Sequence, residues 1–396
     1  MTRPKHRTLG RRSKREVDVL VVGGGIAGLL TATLVQELGY KTVLLEAGPK
    51  LGSGASLRNE GWIHAGTYHS QAILDEVSAR GVTRSTLVGH RYFLREALED
   101  GSSLYARSFA VTAERLRVPF IEDRWKRFSV VHEGIALGDL AALFPGLNVG
   151  AIAGAYAVDD FAVDTTRVFA RFRRRFVNAG GRVFCDAHIT HQSCGTITAS
   201  IGGQMHAFRP RKVVVTAGTG IGELCQRVWG ITIEQRFFKS HLVIAGPVRQ
   251  QHSIFSLDDR GPTIMVHSSG LDLSRARYLI GLNRVSRRLE VPEVEADKSE
   301  IDEIVAKAED LMGSRLEFVS GYACVKTELA PRDREGGYDL QLRILQLASD
   351  LIVAVPGKMT EAPTLALAIC NLIHQELQAD DIAKRPMDDI LQAAIL

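Results

Sequence analysis

Residues 17–28 read Val-Asp-Val-Leu-Val-Val-Gly-Gly-Gly-Ile-Ala-Gly, an apolar, β-branched strand pattern that ends in glycines. A helical pattern follows from Leu29 to Leu38, Gly39-Tyr40 stops it, and a second apolar run, Thr42 to Leu45, ends at Glu46. The glycines Gly23-x-Gly25-x-x-Gly28 therefore fall where a strand turns into a helix. Gly23 permits the tight turn, Gly25 lets the main chain approach a pyrophosphate lying on the helix N-terminus, and Gly28 lets helix and strand pack closely. Ile26 and Ala27, between the last two glycines, belong to the same phosphate-facing turn. Glu46, followed by Ala47, ends the second strand, where a carboxylate accepts hydrogen bonds from a ribose 2′-OH and disfavours a 2′-phosphate. The spacing predicts an α/β fold with a dinucleotide site.

The remainder of the chain narrows the options. Its 396 residues suffice for two domains. No apolar run reaches the length of a membrane span. The five cysteines, Cys185, Cys194, Cys225, Cys324 and Cys370, are scattered and form no metal-ligand spacing. That suits a reducing compartment without disulfides, and the expected location is cytoplasmic. The net charge of +4 comes largely from Arg3, Lys5, Arg7, Arg11, Arg12, Lys14 and Arg15. These form a basic leader over 1–16, expected to be solvated and to make at most a weak contact with an anionic inner-membrane surface. Nothing points to a specific nucleic-acid partner.

A glycine-rich loop follows Glu46 and includes Ser56. The stretch Leu57 to His69 has no regular period and mixes aromatics, histidines and glycines, as a ligand-lining loop does. Residues 71–99 read as helices. Thr166 to Val177 reads as a helix whose arginines, Arg171, Arg173, Arg174 and Arg175, are spread around it and expected to be solvated. Gly202-Gly203 predicts a hairpin, and Lys212 to Gly220, a buried strand ending in glycines, a further strand of the first sheet whose loop closes over the dinucleotide. Residues 226–325 read as strands plus one acidic, mostly exposed helix from Glu293 to Met312. The first pattern then returns: a buried strand from Asp350 to Val355, a tight loop Pro356-Gly357-Lys358-Met359-Thr360, and an apolar helix from Pro363 to Leu377.

The opening unit with Glu46, the Thr216-Ala217-Gly218 strand end and the last strand, Gly357-Lys358 and helix occur in an order that resembles flavoproteins of the D-amino-acid-oxidase type. Within that superfamily the chain is similar to the branch of FAD-dependent glycerol-3-phosphate dehydrogenases and L-2-hydroxyglutarate dehydrogenases. Arg58-Asn59-Glu60-Gly61-Trp62-Ile63-His64-Ala65-Gly66-Thr67-Tyr68 resembles the RNSGVIHAGIYY-like loop of the hydroxyglutarate enzymes. Arg236 to Ile244 resembles an RxxKGSHIVV-like strand of the glycerophosphate enzymes, and Gly357-Lys358-Met359-Thr360 their GGKxTT loop. The resemblance implies FAD as cofactor. It also implies a discontinuous Rossmann-like FAD-binding domain (17–92, 153–225 and 326–396) interrupted by a β-sheet-rich substrate domain (93–152 and 226–325).

It implies site residues as well. FAD contacts are expected from Gly23, Gly25, Ile26, Ala27, Gly28, Glu46, Ala47, Ser56, Arg58, Asn59, Ala217, Gly218, Gly357, Lys358, Met359 and Thr360. Lys358, at a helix N-terminus, suits stabilisation of an anionic reduced flavin. His64 and His241 are the two candidate proton acceptors. Arg58 and Lys326 are candidates for a substrate carboxylate, with Tyr68 and His69 as pocket walls. Where the glycerophosphate enzymes have an arginine and a tyrosine after their IHGG, this chain has Tyr68 and His69, and Lys326 stands for their anion-binding arginine. A lysine supplies charge without a bidentate fork. The expected activity is therefore oxidation of a small anionic 2-hydroxy acid or related alcohol, with the electron acceptor open. The alternatives are an amine or amino-acid oxidase of the glycine or sarcosine oxidase type, or a flavin-binding protein without catalysis. Cys324-Val325-Lys326-Thr327 also resembles the CxYT-like stretch through which sarcosine oxidases tether FAD; a small buried thiol is the expectation here.

Overall fold

The computed structural model describes residues 15–99, 108–248, 250–267, 276–283, 287–331 and 340–378. The expectation for the basic leader falls on 1–16, of which 1–14 lie outside the described residues.

The apolar strand pattern forms one eight-stranded sheet. Its main path runs Arg343–Ala348, Leu351–Val355, Gln204–Val215, Arg15–Val22, Thr42–Leu45, Arg182–Phe184, with Thr196–Ile201 and Ala187–Ser193 attached beside Gln204–Val215. From Leu351–Val355 to Arg182–Phe184 the neighbours are parallel. The register sets Val22 beside both Leu45 and Val215. Three strands thus end level, and Gly23, Glu46 and Thr216 meet at their carboxyl ends, where open α/β sheets bind ligands.

Helices cover both faces. Ile26–Glu37, Thr165–Asn178, Ala362–Gln378 and Glu76–Glu99 share one apolar core, and Ile221–Trp229 caps the other side. Helix Ile26–Glu37 is buried from Ile26 to Val35 because sheet and helices enclose it on every side. Helix Thr165–Asn178 starts at Asp164, whose side chain accepts from the N–H groups of Thr166 (2.9 Å) and Arg167 (3.2 Å). Ile201 and Gln204 pair across the Gly202-Gly203 turn, as the hairpin pattern predicts.

A second, nine-stranded sheet runs Arg287–Leu289, Gln235–Gly246, Arg277–Asn283, Gly261–His267, Ser253–Ser256, Ser108–Thr112, Gly154–Val158, His132–Gly134, with Glu317–Leu329 also paired to Gln235–Gly246. Three expected boundaries move. Gly154–Val158 pairs with Ser108–Thr112 and so lies in this sheet, past the expected break at 152. Glu317–Leu329 runs unbroken past 325, because Leu329 still pairs with Gln235. Helix Glu76–Glu99 crosses the break at 92. The acidic helix is shorter than expected, Lys298–Met312, since Asp297 is held in extended backbone with its N–H given to His241 Nε2 at 3.1 Å. It buries Ile301, Ile304, Ala308 and Met312.

The arginines of Thr165–Asn178 divide by helix face. Arg173 and Arg174 are exposed as expected. Arg175 instead makes a bidentate pair with Glu37 (3.0 and 2.9 Å) and a further bond to Glu96, while Arg171 bonds Glu96 at 2.6 Å and Glu99 at 2.9 Å. Glu96 is buried, so the network ties three helices together around one enclosed carboxylate. Arg175→Ala should destabilise the protein by about 2–3 kcal/mol, because it leaves Glu96 half-compensated, whereas Arg173→Ala should stay within about 0.5 kcal/mol of wild type. Urea unfolding of both variants checks the difference.

Candidate active site

The glycine turn has the geometry its spacing predicts. Gly23 has φ +105°, and a Cβ there would sit 2.6 Å from the Thr216 carbonyl oxygen; one at Gly28 would sit 1.9 Å from the Gly23 carbonyl. At Gly25 a Cβ would find only Ser56 Oγ, at 3.2 Å. The first two glycines are required by the protein's own backbone, while Gly25 leaves a cradle open. Ser56 Oγ accepts from Ile26 N–H at 3.0 Å and stands at the helix N-terminus. Glu46 accepts from Gly24 N–H (2.6 Å) and Gly48 N–H (2.7 Å), which aims its carboxylate along the strand ends. Each oxygen retains acceptor capacity for a sugar hydroxyl. Thr216 bonds back to Val22 and Gly23, bringing Ala217 and Gly218 to the same crevice.

Other expected cofactor residues also make bonds within the protein. The Asn59 side chain is committed locally: its Nδ2 donates to the Ala55 and Ser56 carbonyls, and its Oδ1 accepts from Gly61 N–H at 2.6 Å. It staples the loop that carries Glu60 and Trp62. The Thr360 hydroxyl donates to the Trp62 carbonyl at 3.3 Å and accepts from His64 N–H at 3.2 Å, so it ties the last loop to the short strand Trp62–Ile63. Gly357 is required because a Cβ would meet the Leu340 carbonyl oxygen at 1.9 Å. Arg58 Nε donates to the Ala323 carbonyl at 3.0 Å and joins the loop to the strand Glu317–Leu329.

Three distant segments converge beside this crevice. His64 and His69 meet edge to face with ring centroids 4.5 Å apart, and Tyr68 lies edge-on to His69 at 5.5 Å. Lys326, on Glu317–Leu329, has its Nζ 3.7 Å from Glu60 Oε1. Lys358, leading into the turn Met359–Glu361, has its Nζ 3.5 Å from Glu361 Oε2. Ser85, on Glu76–Glu99, donates to the other oxygen of Glu361. Among the described residues Arg58 has no carboxylate partner, which leaves it as the uncompensated cation of the group.

Burial sets the protonation states. It pulls His64 below its ordinary value, with Asp160 opposing, and pulls His69 well below, reinforced by Lys358 and His64. Both imidazoles are neutral at pH 7. Burial also lowers Lys358, with Glu361 opposing. For Lys326 burial pulls down but Glu60 outweighs it, so the ammonium is held above its ordinary value. Tyr68 is pushed up to about 12 by burial and by Asp259. Cys324 is fully buried, donates weakly to the Ala55 carbonyl and is pushed up to about 12 by that burial, which leaves little thiolate to form a tether.

His241 does not join this group. Its register partner is Ala323, whereas Cys324 and Lys326 pair with Ser240 and Phe238. Alternation along the strand therefore turns His241 to the opposite face. There its Nε2 lies 3.2 Å from Asp297 and its Nδ1 4.0 Å from Glu300.

Three acids that the sequence reading passed over complete the site: Glu60, Glu361 and Asp160. Glu60 had a signal, since it stands where the resembled loop has serine. Asp160 had none, because its partners lie more than 90 residues earlier.

Residues 18–355 match the DAO family, FAD dependent oxidoreductase. The chain belongs to this family. A segment of 53 residues is 45% identical to a probable FAD-dependent oxidoreductase of Pseudomonas aeruginosa, covering 13% of this chain and 13% of that protein. The fold is similar to that of glycine oxidase from Geobacillus kaustophilus (TM-score 0.71, 18% identity, 93% of this chain and 98% of that one). It is also similar to L-proline dehydrogenase from P. horikoshii (0.72, 15%, 92% and 94%) and to FAD-bound L-alpha-glycerophosphate oxidase from Mycoplasma pneumoniae (0.70, 16%, 91% and 95%). These likenesses extend over both sheets. FAD is the cofactor of this DAO-family chain, and the residues fit it: an uncapped helix N-terminus at Gly25, an open cradle beside Ser56 and an aimed Glu46 would hold its pyrophosphate and ribose.

Gly25→Val should abolish FAD uptake while the fold survives, because the added side chain fills the phosphate cradle and meets little protein. Gly28→Val should instead prevent folding, since its Cβ overlaps the Gly23 carbonyl. Flavin-fluorescence titration and circular dichroism separate the two outcomes.

Proposed function

We propose that this DAO-family protein oxidises a small anionic 2-hydroxy acid. When bound, FAD supplies the hydride acceptor; the chain must bind the anion, orient the carbon and remove the hydroxyl proton. The observation that carries the reading is His64, a neutral imidazole in a group of side chains that also includes Arg58, Lys326 and Lys358. Neutral imidazole is an acceptor, and a hydroxyl oxidation requires one. Arg58 and Lys326 supply charge for a carboxylate. His69 and Tyr68 wall the pocket, and burial keeps both uncharged.

This reading sits within the resemblance to the glycerol-3-phosphate and L-2-hydroxyglutarate dehydrogenase branch and favours the hydroxy-acid side of it. Lys326 is already paired with Glu60, and a lone ammonium is a poor match for a phosphate dianion. One observation supports a second reading, amino-acid oxidation: Glu60 offers a carboxylate within the pocket, a partner for an ammonium group. The names of the glycine oxidase and L-proline dehydrogenase fit that alternative.

Anaerobic flavin bleaching by L-2-hydroxyglutarate, L-lactate, glycerol 3-phosphate, glycine and sarcosine discriminates among these. A 2-hydroxycarboxylate should bleach the flavin fastest. Bleaching only by the amines would establish the second reading, fastest bleaching by glycerol 3-phosphate would refute the charge argument, and no bleaching would indicate a flavin-binding protein without catalysis. Lys326→Met should raise the substrate concentration needed by about tenfold or more, in line with loss of a charged hydrogen bond, with little change at saturation.

The pH dependence follows from His64. Because its folded value lies below 6.5, the rate of bleaching should be flat through neutral pH and fall only as acid protonates the imidazole below 6.5. A rate that instead rises on acidification would remove His64 as the acceptor.

A further inference from the structure

We propose that Asp160 is a positioning residue for His64, fixing the imidazole with its proton on Nδ1 and its lone pair on Nε2 and stabilising the imidazolium formed when His64 takes a proton. This deepens the reading in which His64 is the acceptor. Asp160 is fully buried, yet it occupies the start of a two-stranded ribbon, next to Phe161–Ala162, which pairs with Trp62–Ile63. A carboxylate removed from water must find donors. Trp62 Nε1 donates to Oδ1 at 3.2 Å and Thr67 Oγ1 to Oδ2 at 2.7 Å. The remaining neighbour is His64 Nδ1, which lies 3.6 Å from Oδ1 and makes no hydrogen bond. Indole and hydroxyl hold the carboxylate in place, so its free lone pair is aimed at the imidazole.

The other charged or titratable groups around His64 do not replace it. Glu60, on the same loop, is engaged with Lys326 on Glu317–Leu329. Lys358, from the last loop, is a cation and disfavours the imidazolium. His69, from the helix Thr67–Ala72, meets the imidazole edge to face. Asp160 is thus the anion set directly against the nitrogen. An acceptor oriented by a carboxylate on its far nitrogen presents the correct tautomer toward substrate, the logic of any base held by a third group.

The proposal predicts a nitrogen-15 signature for histidine-labelled, FAD-loaded protein, with the His64 resonances assigned by comparison with His64→Gln. Neutral His64 should carry its proton on Nδ1. Asp160→Asn, isosteric and still able to accept from Trp62, should lower the pH at which His64 titrates. It should also slow flavin reduction at saturation about tenfold to a thousandfold, up to but not beyond a full general-base effect, using the 2-hydroxycarboxylate that bleaches fastest in the panel above. In the His64→Gln background the same change should cost nothing further, since Asp160 acts through His64. A proton on Nε2 in the wild type, or an unchanged titration in Asp160→Asn, would overturn the proposal; the wild-type spectrum decides even where the variant does not fold. If His64→Gln reduces flavin as fast as wild type, the reading of His64 as acceptor fails, while the tautomer and titration still report separately on Asp160.

Discussion

A carboxylate with no access to water is a demand that the surrounding chain must meet, and at Asp160 the groups that meet it come from the short strand and the helix on either side of His64. Its donors come from Trp62 and Thr67, which flank His64 in sequence. Thr67 begins a six-residue helix, too short to persist alone. That helix is held from both ends: Trp125 Nε1 donates to the Thr67 carbonyl at 2.8 Å, and the buried Arg124 donates to the Ser70 carbonyl at 2.8 Å. A cation at the carbonyl end complements the helix dipole. Tyr68 and His69 are carried into position by this arrangement, which no local propensity would specify.

The same accounting governs the cations. Lys358 is drawn into low dielectric with Glu361, and Glu361 is in turn anchored by Ser85 from Glu76–Glu99. Gly89 allows that helix to approach, since a Cβ there would lie 1.6 Å from the Thr360 carbonyl oxygen. Lys326 is matched by Glu60 across the gap between loop and sheet. Further along the same strand face Glu328 meets Arg236 at 2.9 Å with neither exposed. Buried pairs of this kind are weak sources of stability but expensive to break. Their effect here is placement: they hold loop and strand segments in register, and among the described residues they leave Arg58 as the cation of this group without an acidic partner.

How much of this the sequence disclosed depends on the range over which each feature is set. The glycine turn, Glu46 and the return of the strand pattern at Leu351 are local or periodic signals, and they led directly to the parallel sheet and its crevice. The cluster of His64, Tyr68, His69, Lys326 and Lys358 was legible through resemblance alone, because its histidine loop must meet two segments that lie far later in the chain. Asn59 and Thr360 lay in the right loops, yet their side chains serve the loops themselves; residue type does not reveal which polar atoms a turn consumes. Arg175 was indistinguishable from Arg173 until the helix phase was known. Asp160 gave no sign, since an acid ahead of a helix is ordinarily read as a cap, the part that Asp164 plays instead.

The fate of His241 shows how a single step of register separates a site residue from a structural one. Lys326 and Cys324 face the pocket, and alternation turns the partners of Ala323 and Val325, His241 and Lys239, toward Asp297 and the acidic helix. There His241 accepts the Asp297 N–H, a bond that helps to set where that helix begins. Both histidines have an aspartate nearby, so an acidic neighbour alone does not distinguish an acceptor. The distinction is what the second nitrogen meets. Nδ1 of His241 is directed toward Glu300, so acids lie against both of its nitrogens. His64 has its carboxylate against Nδ1 and is partly open, with 22% of its side chain exposed. Desolvation keeps that ring neutral until a proton is offered, and Asp160 then offsets the cost of the charge. The two opposing effects together meet what the proposed acceptor role requires, a ring unprotonated at rest and still able to hold a proton when one is transferred.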